Sequence, residues 1–322
     1  MKAAVAMSAE AADAVLDQRA LGELAAVCEL VPGVIETFDD AALAALRDVD
    51  VLVTGWGCPP VDEAVLTAAP RLRAIVHTAG TVRGHVTPAC WQRGIEVSSA
   101  AAANAVPVAE YALAMILLEG KRVLDQARDY RRTRVKDVPP GVGNFGRVVG
   151  VLSASLVGRR LIELLRPHDF EVLLCDPYVD RAEAEALGAR PVELAELFAS
   201  SDVVSVHTPL LPSTRGLVGR ELIESMRPGA VLINTARGAV VDQDALADAP
   251  VRAVLDVTEP EVLPAEHPLW RREDVLITPH IAGSQGNELR RLARHAIDEL
   301  RRWVDGAGFA HPVHHEHLER IA

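Results

Sequence analysis

The sequence predicts an α/β fold with a mostly parallel sheet, and three observations carry that prediction. Short runs rich in β-branched residues alternate along the chain with amphipathic stretches rich in alanine and leucine, the pattern of repeated strand–helix units. A chain of 322 residues with 49% hydrophobic content has enough apolar side chains for two moderate cores, and two rather than one large core are expected. A polar stretch marked by proline and glycine, Arg131 to Gly146, separates the two halves as a crossing loop would.

Taken in order, the first hundred residues offer strands at Ala3 to Met7, Val51 to Thr54, Ala74 to His77 and Glu96 to Ser98. Helices are predicted between them at Asp39 to Leu46 and Asp62 to Ala69, enough for a small α/β domain. Asn104 to Arg122 reads as one long, very apolar helix, with Asn104 as its cap and Pro107 in its first turn. A helix apolar on every side is a buried one, here expected between two domains. The second half is more regular, with strands at Arg147 to Leu152, Glu171 to Cys175, Val203 to His207, Ala230 to Asn234, Arg252 to Asp256 and Val275 to Thr278. Helical stretches separate them, as in a doubly wound dinucleotide-binding sheet. The last helix, Gln285 to Asp305, is strongly amphipathic and is expected to return to the first lobe.

Bulk properties exclude several classes. A formal charge of −12 gives no electrostatic footprint for nucleic acid or an anionic membrane. Cys28, Cys58, Cys90 and Cys175 are scattered and read as buried thiols of a reducing compartment. The N-terminus lacks the pattern of a signal peptide, and no segment is expected to reach the roughly 20 apolar residues that span a bilayer, so a cytoplasmic location is expected. The C-terminal His311, His314, His315 and His317 match no defined metal spacing and are read as a solvated or packing tail, with no metal.

The chemistry concentrates in three short segments: NTARG (Asn234 to Gly238), DVTEPE (Asp256 to Glu261) and TPHIAG (Thr278 to Gly283). Arg237, Glu261 and His280 stand in them beside small or turn-forming residues where strands end, and they are the candidate catalytic residues. A guanidinium can hold a carboxylate and a carbonyl oxygen in its fixed donor fork. An imidazole can give or take a hydroxyl proton, and a neighbouring carboxylate orients it and stabilises its charged form. This trio suits a 2-oxo or 2-hydroxy acid.

Upstream, the strand ending at Leu152 leads into Ser153, Ala154, Ser155, Leu156, Val157 and Gly158. A dinucleotide fingerprint wants three glycines here, and only the third, Gly158, is present. Serine is small and can donate to a phosphate at the helix N-terminus, so Ser153 and Ser155 keep the segment a candidate cofactor turn. Asp176 follows the next strand at a distance suited to an acid that binds the adenosine ribose, which favours NAD(H) over NADP(H); Arg181 keeps that preference open. His207, at a strand end, reads as a structural or cofactor-lining residue. His77 and His85 read as pocket-lining or exposed residues, and Trp56 as either a pocket wall or a packing residue.

These segments, together with NAVPVAE (Asn104 to Glu110), SDVVSVHTPL (Ser201 to Leu210) and HPLW (His267 to Trp270), resemble the D-isomer-specific, NAD-dependent 2-hydroxyacid dehydrogenase family, in family order from about residue 100 to 285. The resemblance implies two lobes with the active site in the cleft between them: a Rossmann-type doubly wound sheet over residues 104–285 and a smaller, flavodoxin-like α/β substrate lobe built from residues 1–103 plus 286–322. It implies NAD as cofactor, a small 2-oxo or 2-hydroxy acid as substrate and a homodimer. By the same resemblance Arg237 binds the substrate carboxylate and polarises its carbonyl, His280 is the acid/base, and Glu261, rather than the nearer Glu259, pairs with the histidine. Thr235, Ala236 and Asp256 fall where the family contacts the nicotinamide. Thr78, Ala79, Gly80, Thr81 and Asn104 fall in the substrate set.

Two departures stand out: the two serines of the cofactor turn, and Val82 where the family usually has glycine, followed by Arg83. Either the substrate loop takes another shape or Arg83 meets a second anionic group. Alternative functions are a non-enzymatic NAD(H)-responsive protein like a corepressor, a degenerate member with impaired NAD binding, and a formate- or phosphite-type dehydrogenase.

Overall fold

A computed structural model describes residues 1–318, which divide into two compact units. The first comprises Met1–Asn104 and the segment from Ser284 onward; the second is Ala105–Gly283. Residues 319–322 of the expected substrate lobe, and the His317 side chain of the expected histidine tail, lie outside the described residues.

The first unit holds β1 (Lys2–Ala6), β2 (Glu29–Ile35), β3 (Val51–Thr54), β4 (Ala74–His77) and β5 (Glu96–Ser99) in one sheet of order β2-β1-β3-β4-β5. Every neighbouring pair in it is parallel, the flavodoxin-like order with a single switch point between β1 and β3. Parallel strands need cover on both faces, which is why β3 and β4 are apolar at nearly every position. On one face Val5, Val51, Val53 and Val76 pack against Leu24 and against Ala293, Ala296, Ile297 and Leu300 of the helix Leu289–Val304, so the C-terminal helix does return to this sheet. On the other face Leu52 and Ile75 meet Leu46, Val65 and Leu66.

The second unit holds β6 (Val148–Leu152), β7 (Glu171–Cys175), β8 (Arg190–Pro191), β9 (Val203–Val206), β10 (Val231–Asn234), β11 (Arg252–Leu255) and β12 (Val275–Ile277). Their order is β12-β11-β10-β9-β6-β7-β8, again parallel throughout. The order reverses between β6 and β9, the place where open α/β sheets of this kind bind dinucleotides.

The structure corrects several expectations. β2 lies outside the strands that the sequence predicts, and Arg131–Thr133 close a helix, Val123–Thr133, rather than open a loop. The long apolar helix spans Ala101–Gly120, so Asn104 lies within it and does not cap it. Its amide already donates to the Ala100 carbonyl at 2.9 Å, and its side-chain Oδ1 accepts from the Ser284 amide at 2.9 Å instead. Pro107 consequently sits past the first turn, where it removes one intrahelical bond. At 20 residues this helix is long and apolar enough, by length and composition, to cross a membrane, which corrects the expectation that no segment would be. Its Ala109, Ala112 and Ile116 are packed in the second unit's core, and a buried core helix has the same composition. All four cysteines are unpaired; Cys28 and Cys90 are buried, whereas Cys58 and Cys175 are only half-buried.

Candidate active site

Strands β10, β11 and β12 lie in register, Asn234 beside Leu255 and Leu255 beside Ile277, so the three segments that follow them emerge at one sheet edge. Each carries one member of the predicted trio, and each is shaped by a different local device.

After β10 the device is Asn234, which is buried. Its Oδ1 accepts from the Ala236 amide at 3.0 Å and its Nδ2 donates to the Arg237 carbonyl at 3.0 Å, folding the strand end into a tight turn that presents Arg237. Gly238 follows because nothing larger fits: a Cβ there would overlap the Thr258 carbonyl group. That close approach of backbones joins the arginine's turn to the loop that carries Glu261.

After β11, Thr258 Oγ1 lies 2.8 Å from the Glu261 carbonyl and 2.9 Å from that of Pro260, curling the loop. Glu259 faces elsewhere: its amide and carbonyl bond the Gln243 side chain, and its carboxylate lies 3.9 Å from Arg215. Glu261 Oε1 instead lies 2.7 Å from His280 Nδ1. The two glutamates are two residues apart, and only the second meets the histidine.

After β12 the backbone at His280 has φ 54°, a left-handed conformation uncommon for a residue with a side chain and the kind of strain that collects at functional sites. Asp256, almost completely buried, enforces it. Its Oδ1 accepts from Thr278 Oγ1 at 2.7 Å and the Ile281 amide at 2.8 Å, its Oδ2 from the Ala282 amide at 2.9 Å, and its carbonyl from the His280 amide at 3.0 Å. Tyr111 adds a further link, with its hydroxyl 2.8 Å from Thr278 Oγ1. Burial raises the Tyr111 pKa, which keeps the phenol neutral. Sequence reasoning missed Asn234, Tyr111, Thr258 and Thr278, all polar residues beside the motifs whose shaping role shows only in their bonds.

The candidate cofactor turn makes its left-handed step with a serine in place of a glycine. Ser153 takes φ 80°, the left-handed geometry that glycine usually supplies. Its Oγ donates to Asp176 Oδ2 at 3.1 Å, and the Ala154 amide donates to the same oxygen at 2.7 Å. Asp176 thus braces the turn, a structural role that its spacing in the sequence does not reveal. Ser155 caps the helix Leu156–Leu165, its Oγ accepting from the Gly158 amide at 3.4 Å. Gly158 is obligatory, because a Cβ would overlap the Ser153 carbonyl oxygen. Leu156 is exposed and Val157 half-buried at this helix N-terminus, where anions are favoured.

Thr235 and Ala236 lie in the arginine's turn, and Thr235 Oγ1 is buried without a hydrogen-bond partner, an orphaned group suited to a ligand's amide or hydroxyl. His207 is fully buried at the end of β9, its Nε2 2.9 Å from Ser205 Oγ, and burial pushes its pKa down to about 3. It is a neutral structural ring, with its backbone amide donating to the Leu152 carbonyl beside the cofactor turn.

In the first unit, Thr78 and Ala79 are buried at the end of β4, Gly80 is half-buried and Thr81 exposed. Thr78 is anchored through its amide and hydroxyl to the Thr54 carbonyl, at 2.7 and 3.0 Å. His77 and His85 are buried, which corrects the alternative that they are exposed rings. Both contact Thr54 Oγ1, at 2.9 and 3.0 Å. Val82 is buried in the core with Val61 and Val86, which accounts for a large side chain where glycine was expected and leaves Arg83 at the surface. Trp56 is likewise exposed, so packing does not explain it.

Residues 113–282 match the family described as D-isomer specific 2-hydroxyacid dehydrogenase, NAD binding domain. D-3-phosphoglycerate dehydrogenase of Mycobacterium tuberculosis is 34% identical over 271 residues, which cover 81% of this chain and 50% of that protein. The chain therefore spans about half the length of such relatives. Glyoxylate reductase of Aeropyrum pernix is 30% identical over 280 residues, 83% of each protein. Among solved structures, the TT0316 protein from Thermus thermophilus aligns over 98% of this chain and all of its own, with a TM-score of 0.76 at 28% identity. The family match over more than half of the chain, with a relative 30% identical over 83% of each protein, fixes the lineage: the chain belongs to the D-isomer specific 2-hydroxyacid dehydrogenase family, and its second unit carries the family's NAD binding domain.

Proposed function

We propose that the protein is an NAD(H)-dependent oxidoreductase that interconverts a small 2-oxo acid and its D-2-hydroxy acid. The observation that carries this reading is the 2.7 Å contact between His280 Nδ1 and Glu261 Oε1, at the sheet edge that also presents Arg237.

The residues present fit the cofactor. Ser153, Ser155, Leu156, Val157 and Gly158 would hold its pyrophosphate, Asp176 its adenosine ribose, and Thr235, Ala236 and Asp256 its nicotinamide half, with His207 behind them. When bound, NADH supplies the hydride for the substrate carbonyl carbon. Arg237 clamps the substrate carboxylate and draws electron density toward the carbonyl oxygen. Glu261 accepts a hydrogen bond from His280 Nδ1 and so fixes the ring, leaving Nε2 to deliver its proton to that oxygen. The left-handed backbone at His280 holds the ring in place before substrate arrives, reducing the reorganisation needed at reaction.

To the same reading belong a substrate role for Thr78 to Thr81 and Asn104 in the first unit, a homodimer and a cytoplasmic location. Four unpaired cysteines are consistent with a reducing compartment. Calorimetric titration with NADH and with NADPH, followed by a panel of glyoxylate, hydroxypyruvate and pyruvate, tests the proposal. Preferential NADH binding with turnover of a 2-oxo acid supports it. NADH binding without turnover would favour a corepressor-like protein, and binding of neither nucleotide would overturn the cofactor assignment.

A further inference from the structure

The histidine-rich tail reads differently once its partners are known. Glu299 is 3% exposed, and among the described residues no lysine or arginine forms an ion pair with it. A buried carboxylate without a cation is costly. Its oxygens are held by neutral donors: Oε2 lies 2.9 Å from Ser98 Oγ and accepts the His311 amide at 2.9 Å, while Oε1 accepts the Ala310 amide at 3.2 Å. With one donor in place, Oε1 keeps a lone pair.

Two imidazoles stand at that carboxylate. His295 precedes Glu299 by one helical turn and so shares its face. His295 Nε2 is buried with no hydrogen-bond partner, while the same ring takes part in a backbone hydrogen bond with Ser99. A backbone partner on one nitrogen fixes the tautomer that leaves the other free to ligate. The His311 ring lies 4.9 Å from that of His295, and one ligand atom from each of His295, Glu299 and His311 falls within 4.8 Å of the others.

We propose that His295, Glu299 and His311 form a binding site for a divalent transition-metal ion of the zinc class, which fastens the C-terminal tail to the helix Leu289–Val304. Two imidazoles and a carboxylate are a zinc-type donor set, with water as fourth ligand. Metal–ligand bonds of about 2.0–2.2 Å place tetrahedral ligand atoms roughly 3.5 Å apart, so binding draws the three groups closer together, and His311 is the exposed member. The tail is already aligned for this, since Ser98 bridges Pro312 beside β5. Sequence spacing alone does not reveal the site, because two of its three ligands come from the helix and not the tail.

The test is titration of tag-free, chelator-treated protein with Zn2+ alone against a competing chromophoric chelator, with thermal melting alongside. One Zn2+ per chain should bind with micromolar or tighter Kd and raise Tm. His295→Gln and His311→Ala should each weaken binding at least ~10-fold and abolish the Tm increase, while His314→Ala changes neither. Circular dichroism of the two variants checks that they fold; the His311→Ala result decides if His295→Gln does not. No stoichiometric binding, or undiminished binding by His311→Ala, would overturn the proposal. So would loss of binding in His314→Ala with retention in His295→Gln.

Discussion

Asp256 sets the backbone of His280. The carboxylate that follows β11 gathers the Thr278 hydroxyl and the Ile281 and Ala282 amides, while its own carbonyl takes the His280 amide, so the chain turns left-handed at the histidine. The ring is thereby aimed by a residue that bonds its backbone, and Glu261 then fixes its rotation.

Asp256→Asn tests that relationship. An amide in place of the carboxylate points a donor at a group that already donates, leaving one buried pair unsatisfied at a cost of ~1–3 kcal/mol. The variant should melt at lower temperature and lose kcat more than it changes KM for the 2-oxo acid. Wild-type melting and kcat together would show that the loop holds its shape without this carboxylate.

Gly238→Ala separates shape from chemistry, because it removes no functional group. The added methyl would overlap backbone atoms of Thr258 and Glu259, so one of the two loops must move. We expect kcat/KM to fall by at least ~10-fold, about 1.4 kcal/mol in transition-state binding, with NADH affinity much less affected. Unaltered kinetics would mean the arginine and glutamate turns are not coupled through this contact.

Asp176 braces the serine turn and is the proposed ribose acceptor, so Asp176→Ala should do two things. Loss of the Ser153 and Ala154 bonds lowers stability, and loss of the acceptor weakens NADH binding while narrowing its advantage over NADPH. Ser153→Gly should keep NADH binding, since glycine accepts φ 80° without strain. If Asp176→Ala bound both nucleotides as wild type does, the acid would be a brace and nothing more.

Stability should fall on mild acidification. Burial pushes His77 to about 3, with the neighbouring His85 adding to the effect, and burial pushes His85 to about 4 and His207 to about 3. These folded values lie below the unfolded value of roughly 6.5, so the unfolded chain takes up protons first as pH drops. The contribution is therefore complete above about pH 6.5 and is lost as pH falls toward 4 and below, at up to ~1.4 kcal/mol per pH unit for each ring. Melting at pH 5 should occur below that at pH 7.5, and His207→Gln should show a smaller drop. A Tm that stays flat across this range would mean the rings are charged or solvated.

Much of this was legible in the sequence, for identifiable reasons. Strands of the second unit are buried on both faces, so β9, β10 and β11 show as apolar runs ending in a motif. β2 escapes such a reading because it is an edge strand, and its sequence ELVPGVI carries proline and glycine that a central strand would not. The start of the long helix is hard to place because Asn104 has a cap's chemistry but bonds Ser284, 180 residues away. Glu261 is distinguishable from Glu259 only through the family resemblance; the physical reason, Gln243 and Arg215 holding Glu259 aside, is tertiary. The loop-shaping bonds of Asn234 are local, yet those of Asp256 reach 22 to 26 residues along the chain and leave no short-range pattern.

The most direct test of the account is steady-state oxidation of NADH with glyoxylate, hydroxypyruvate and pyruvate by the wild-type protein, Arg237→Lys and His280→Gln. The account predicts turnover of at least one acid to its D-2-hydroxy product. His280→Gln should lose ~10²–10⁴-fold in kcat, and Arg237→Lys should lose strongly in kcat/KM because an ammonium cannot reproduce the fork. Wild-type rates in His280→Gln, or no NADH-dependent reduction of any 2-oxo acid by a protein that binds NADH, would contradict it.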